Sequence, residues 1–114
     1  MKPKRATVTM DAAKRRRLER AGWRIGTVQE FLGLTAADIA FIEVKLALTE
    51  QFKATRRKLH LSQQAVAKQL GSSQSRVAKM EAGDASISLD LLIRGLLTLG
   101  ETLRSVARVI ARAA

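Results

Sequence analysis

Gln63, Gln74, Ser75, Arg76 and Lys79 are hydrogen-bonding side chains with no carboxylate among them, and the last four lie within six residues of one another. A glutamine carboxamide sets a donor beside an acceptor, which matches the N6 and N7 edge of adenine. Arginine and lysine supply the donors that guanine O6 and N7 accept, and serine suits either base. Gln63 stands at the start of an expected helix, where side chain and exposed backbone N–H groups together hold a phosphate. The chemistry available to this set is non-covalent: reading base edges and gripping phosphates.

Such residues work only if two helices hold them in place. The stretch "AVAKQLGSSQSRVAKME", residues 65–81, reads as two short helices joined at one glycine. Ser62 caps the first, Gln63 to Leu70, and Gly71 stops it. Ser73 caps the second, Gln74 to Ala82, and Gly83 stops that one. Ala67 is small enough for the second helix to approach closely. Gly71 takes the left-handed backbone that ends a helix without a Cβ penalty. Val77 then inserts between the helices, with Val66, Leu70 and Met80 closing the pocket. A large-to-small change there costs on the order of 2–4 kcal/mol. The same pattern also describes a plain helical hairpin with polar outer faces, and the charge of the chain argues against that reading.

Upstream, Thr35 and Asp38 form a capping box, with Asp in place of the preferred Glu. A long helix is predicted from there to about Leu59. Ala37, Phe41, Val44, Leu48, Phe52, Thr55 and Leu59 make one apolar face, and Ile39, Ile42 and Leu46 a second on the first half. Downstream, Ser88 caps a helix to Leu99 that Gly100 ends, and a basic helix follows from about Glu101 to Arg112. Residues 9–22 and 27–32 read as two further short helices, ended by Gly22 and Gly33. The chain is therefore expected to be all-α. Residues 1–34 form a basic N-terminal helical extension, and residues 35–114 a domain whose helical pair spans 62–82.

The chain has 114 residues, with 21 Lys and Arg against 10 Asp and Glu, a net charge of +11. The first 34 residues carry nine basic and three acidic groups, so +6 of that charge is concentrated there. An excess of this size attracts polyanions and makes binding salt-sensitive. No cysteine and one histidine leave no thiolate zinc site or disulfide, and no metal or cofactor is expected. No apolar run of about 18 residues exists to cross a membrane, and the start lacks the apolar block of a secretory signal, so a cytoplasmic location is expected. The serines have no partner histidine, no glycine-rich phosphate loop is present and the acidic residues are scattered, which argues against an enzyme.

Several residues keep two readings. Trp23 either plugs the edge of the core or anchors a partner or base. Lys14 to Arg17 either grip phosphates or an acidic partner, or form a solvated face. His60 is expected at the surface near the negative end of its helix. Leu103, Val106, Ala107 and Ile110 form either a two-fold dimer seam or a face docked on the chain's own core, with Arg104, Arg108 and Arg112 on the polar side.

Residues 61–100, with Gln63, Ala67, Gly71, Val77 and "KMEAG", resemble a lambda-repressor-like domain of the Cro/CI, or XRE, helix-turn-helix family. The resemblance implies a five-helix fold whose first four helices fall near 46–59, 62–70, 73–82 and 88–99. By that likeness Gln63 touches a phosphate, while Ser73, Gln74, Ser75, Arg76 and Lys79 face bases or flanking phosphates of double-stranded DNA. It also implies a structural ion pair of Arg56 with Glu81. Ser72 departs from the family, which usually has an apolar residue there. The segment "RLERAGWRIGTVQEFLGLTAADIAFIEVKLAL" looks like that of small antitoxin-like XRE regulators of the host-inhibition-of-growth type. The expectation is a homodimeric repressor bound to a palindromic operator, autoregulating a toxin–antitoxin operon, with a toxin protein as a further partner. The rival is an antitoxin whose main act is to mask the toxin.

Overall fold

The computed structural model describes residues 33–113, which form five α-helices and, among these residues, no strand. They are α1 (Ala36–Lys58), α2 (Gln63–Leu70), α3 (Gln74–Ala82), α4 (Leu89–Thr98) and α5 (Leu103–Ala113). The short helices expected over 9–22 and 27–32, and with them Lys14 to Arg17 and Trp23, lie outside the described residues.

Local chemistry sets the helix starts. The Thr35 hydroxyl accepts from the Asp38 N–H at 3.0 Å, and the Asp38 carboxylate accepts from the Thr35 N–H at 3.0 Å, completing the capping box of α1. Ser62, Ser73 and Ser88 cap α2, α3 and α4 by accepting from the N–H three residues on. Each cap satisfies a donor that would otherwise lack an intrahelical partner. The predicted start of the last helix at Glu101 shifts to Leu103. Thr102 and Ser105 exchange hydrogen bonds of 2.9 and 3.0 Å across that first turn, and Glu101 is turned aside to α1.

Four helix ends share one device. The N–H groups of Leu61, Ser72, Asp84 and Glu101 donate five residues back to the carbonyls of Arg56, Ala67, Lys79 and Leu96, at 2.8–3.1 Å. The residue before each donor is left-handed: His60 (φ 57°), Gly71 (φ 65°), Gly83 (φ 74°) and Gly100 (φ 103°). His60 is exposed as expected, but it does what glycine does at the other three ends. For a residue with a Cβ that conformation costs about 1–2 kcal/mol.

The core joins Leu48 and Phe52 of α1 to Val66, Val77, Met80, Leu92 and Leu96, all fully buried, and α5 closes it with Val106 and Val109. The seven-residue apolar face predicted for α1 needs correction at its ends. Leu48, Phe52 and Thr55 are buried, but Phe41 is 49% and Leu59 45% exposed, and Ala37 is exposed too. All lie on one side of the helix, but α1 runs 23 residues and α4 and α5 only 10 and 11. At 1.5 Å per residue the shorter helices cannot cover its full length of about 34 Å. In the first half Ile42 and Leu46, of the second face, are the buried pair.

The terminal stripe is docked along part of its length, with Ile110 packed against the chain's own core. Val106 docks on the chain's own core, while Leu103 is 71% exposed and Ala107 is exposed. Polar contacts add to this docking: Glu101 accepts from the Thr55 hydroxyl at 2.7 Å and from the Ser105 hydroxyl at 2.6 Å. These bonds, Ser105 first, hold the Glu101 carboxyl below the usual carboxylate range.

Gly95, inside α4, sets the distance between α4 and α1. A Cβ there would fall 2.8 Å from Phe52 Cε1 and 3.1 Å from Met80 Cε. Gly95→Ala adds about 1 kcal/mol of helix propensity but overpacks a rigid ring, which costs about 1–3 kcal/mol. The expected outcome is a lower urea midpoint. An unchanged or higher midpoint would show that the two helices have room to separate.

Candidate nucleic-acid interface

Val66, Val77 and Met80 are fully buried, Ala67 is 4% exposed and Leu70 is packed against them. Nothing lies within 4 Å of a Cβ built on Gly71, so glycine is required there by its φ and not by crowding. Ser72 is half-buried, and its N–H donates to the Ala67 carbonyl at 2.8 Å. Its backbone closes the turn, whatever side chain it carries.

With Val77 and Met80 inward, Ser73, Gln74, Ser75, Arg76 and Lys79 are all exposed. The one carboxylate of α3 is Glu81, whose side chain is 4% exposed and turned toward α1. There Arg56 grips it with two hydrogen bonds, from Nε to Oε2 and from Nη2 to Oε1 at 2.9 Å, while Nη1 donates to the Leu61 carbonyl at 2.8 Å. The bond to Glu81 raises the Arg56 pKa further above its usual value, against the opposing effect of burial. The outward surface of α3 is thus left free of negative charge.

The same carboxylate orients the glutamines. Gln63 Nε2 donates to Glu81 Oε1 at 3.1 Å, and Gln74 Nε2 donates to Gln63 Oε1 at 2.7 Å. Carboxylate oxygens accept only, so Glu81 dictates which end of the Gln63 amide faces it, and Gln63 dictates the same for Gln74. Gln74 keeps its Oε1 and its second N–H for the outside. Gln63, read from sequence as a free phosphate contact, is half-buried and already bonded at both ends of its amide. Ser73 has its hydroxyl in the cap of α3, accepting from the Arg76 N–H at 3.2 Å, and 3.3 Å from the Ser75 hydroxyl.

Sequence reasoning did not single out Ser86, in the loop after α3. It joins Ser73, Ser75, Arg76 and Lys79 around a cleft of about 400 Å³ that has no carboxylate in its lining. Asp84 shapes that loop by accepting from the Ser86 N–H at 2.8 Å and from its hydroxyl at 2.6 Å. These bonds lower the Asp84 pKa. Lys45 Nζ reaches across from α1 to the Ala85 carbonyl at 3.1 Å, and burial lowers its pKa. A contact between residues 40 positions apart leaves no local sequence signal. Among the described residues, no three His, Asp or Glu side chains gather as a metal site.

Two short capped helices packed through Ala67 and Val77, with a carboxylate-free outer face on the second, define a helix-turn-helix DNA-binding domain. The helix-turn-helix family model matches residues 52–108, half of the chain, and the chain belongs to this family in its XRE form. It is a DNA-binding transcription regulator. No curated protein and no solved structure gives a significant match. Among the described residues no helix is long and apolar enough to cross a membrane.

Arg56 links three of these elements, so its loss exposes how much depends on it. Arg56→Met leaves Glu81 buried without its counter-charge and is expected to cost about 3–5 kcal/mol. Adding Glu81→Met should recover most of that loss. Chemical denaturation of both variants checks this, and equal stability of the single and double variants would refute a buried charge penalty.

Proposed function

We propose that the chain is a homodimeric repressor that lays α3 in the major groove of a palindromic operator, with residues 35–114 as the DNA-binding unit. The observation that carries this reading is the outer face of α3. Its one carboxylate is turned inward, and that carboxylate sets the direction of the Gln63–Gln74 amide pair. Gln74 then offers an acceptor and a donor side by side, the arrangement that suits adenine. Arg76 and Lys79 supply donors for guanine or for backbone phosphates, and Gln63 acts mainly by holding Gln74. Ser73 and Ser75 flank these contacts.

A selection for bound duplexes, followed by anisotropy titrations, tests the assignment. Arg76→Ala with Lys79→Ala is expected to weaken binding to the selected duplex about 10–100-fold. If both side chains hold phosphates, the salt slope should fall by about two. Undiminished affinity in the double variant would mean that another surface reads the DNA.

Two-fold symmetry places paired recognition helices about 34 Å apart, one turn of DNA. Leu103 and Ala107 on α5, together with Leu97 of α4 at 37% exposure, are the apolar surface for the second copy. Leu103→Glu is expected to give a monomer in sedimentation while the helical circular dichroism persists. A dimer in that variant would place the seam elsewhere. Autoregulation of a toxin–antitoxin operon is the finer reading, supported by the likeness of residues 17–48 to antitoxin-like regulators. Co-purification of the chain with the product of a neighbouring small basic reading frame tests it.

A further inference from the structure

A second basic surface lies away from α3. Gln51 and Lys58 of α1, Glu101, and Ser105, Arg108 and Arg112 of α5 surround a recess of about 220 Å³. At 100° per residue, Gln51 and Lys58 fall about 150° around α1 from Arg56, whose side chain points to α3. The recess therefore opens on the opposite flank of α1 from the Arg56–Glu81 pair. Lys58, Arg108 and Arg112 are exposed; the charge of Lys58 acts on Glu101, but none of the three lies within ion-pair distance of an acidic side chain among the described residues.

Glu101 is the one negative group in the lining, and it is already engaged. Both its oxygens accept from hydroxyls, Thr55 at 2.7 Å and Ser105 at 2.6 Å, and Gln51 braces Thr55 by donating to its hydroxyl at 3.0 Å. Three cations thus face a single carboxylate that is fixed in place, which leaves an excess of two positive charges around a polar, phosphate-sized space. Solubility alone calls for scattered cations, whereas these three converge on one recess from two helices.

We propose that the recess between α1 and α5 is a phosphate-binding site, gripped by Lys58, Arg108 and Arg112 and separate from the recognition surface of α3. Such a phosphate has two sources, a phosphorylated small molecule acting as effector or the backbone of DNA lying outside the operator contacts. The site does not depend on the reading of α3, and its test is independent of that surface.

The test is an amide NMR titration of the full chain with inorganic pyrophosphate, at ionic strength held constant with potassium chloride. A parallel titration uses a random-sequence duplex and the Arg76→Ala, Lys79→Ala variant. Saturable shifts at residues 51, 58, 105, 108 and 112 with pyrophosphate support the site with a small-molecule source. Saturable shifts there with the duplex alone support it with a DNA source. The Lys58→Gln, Arg108→Gln, Arg112→Gln variant, checked as folded by the dispersion of its spectrum, should lose about tenfold or more in affinity for the responding probe. The proposal is overturned if neither probe saturates these signals or if the triple variant titrates like the parent. It is also overturned if pyrophosphate shifts Arg76 and Lys79 as much, without saturation.

Discussion

The buried pairing of Arg56 with Glu81 is the constraint on which the remaining geometry hangs. It joins the end of the longest helix to the end of α3, and a third guanidinium bond takes in the Leu61 carbonyl just before α2. One arginine therefore sets the positions of three helices relative to one another. A buried ion pair adds little net stability over an apolar pair of the same shape, so its value here is directional. It takes the negative charge of α3 off the outer face and aims it at a glutamine.

From Glu81 the order passes outward through side chains. A carboxylate that can only accept fixes the Gln63 amide, and Gln63 fixes Gln74. A polar network earns such uniqueness only when every member is satisfied, and here each link has a partner at hydrogen-bond distance. The outermost amide is thus held in one orientation by a carboxylate that is itself turned away from the outer face.

The parts of this architecture that were legible in the sequence are those decided locally. Ser62, Ser73 and Ser88 as starts, Gly71, Gly83 and Gly100 as stops, and the Thr35–Asp38 box all act within a few residues, so their types suffice. The periodicity also located Leu48 and Phe52 in the core, and the spacing of the helical pair located Val66 and Val77. It failed for Phe41 and Leu59 because how far a stripe is buried depends on the lengths of partner helices. Gly95 gave no signal, since a glycine inside a helix looks only unfavourable until Phe52 is seen against it. His60 was likewise silent as a helix stop, because nothing in a histidine announces a left-handed backbone. At the site, the outward set on α3 and the Arg56–Glu81 pair were legible from residue types and family likeness. The double engagement of Gln63 was not, because it depends on groups 11 and 18 positions away, and neither was the Lys45 tether on the loop that carries Ser86.

The closed ends of α2 and α3 have a kinetic meaning. Helices of eight and nine residues are too short to persist alone in water, yet each is capped by a serine at its start and a left-handed glycine at its finish, and each is pinned to the core between. Both ends of each helix are fixed without help from a ligand. Encounter with DNA then requires no folding step and no loss of chain entropy in these two elements, costs that segments which order only on binding must meet. Association can run near the rate set by diffusion and the chain's positive charge, and discrimination between sites falls to how long each complex lasts.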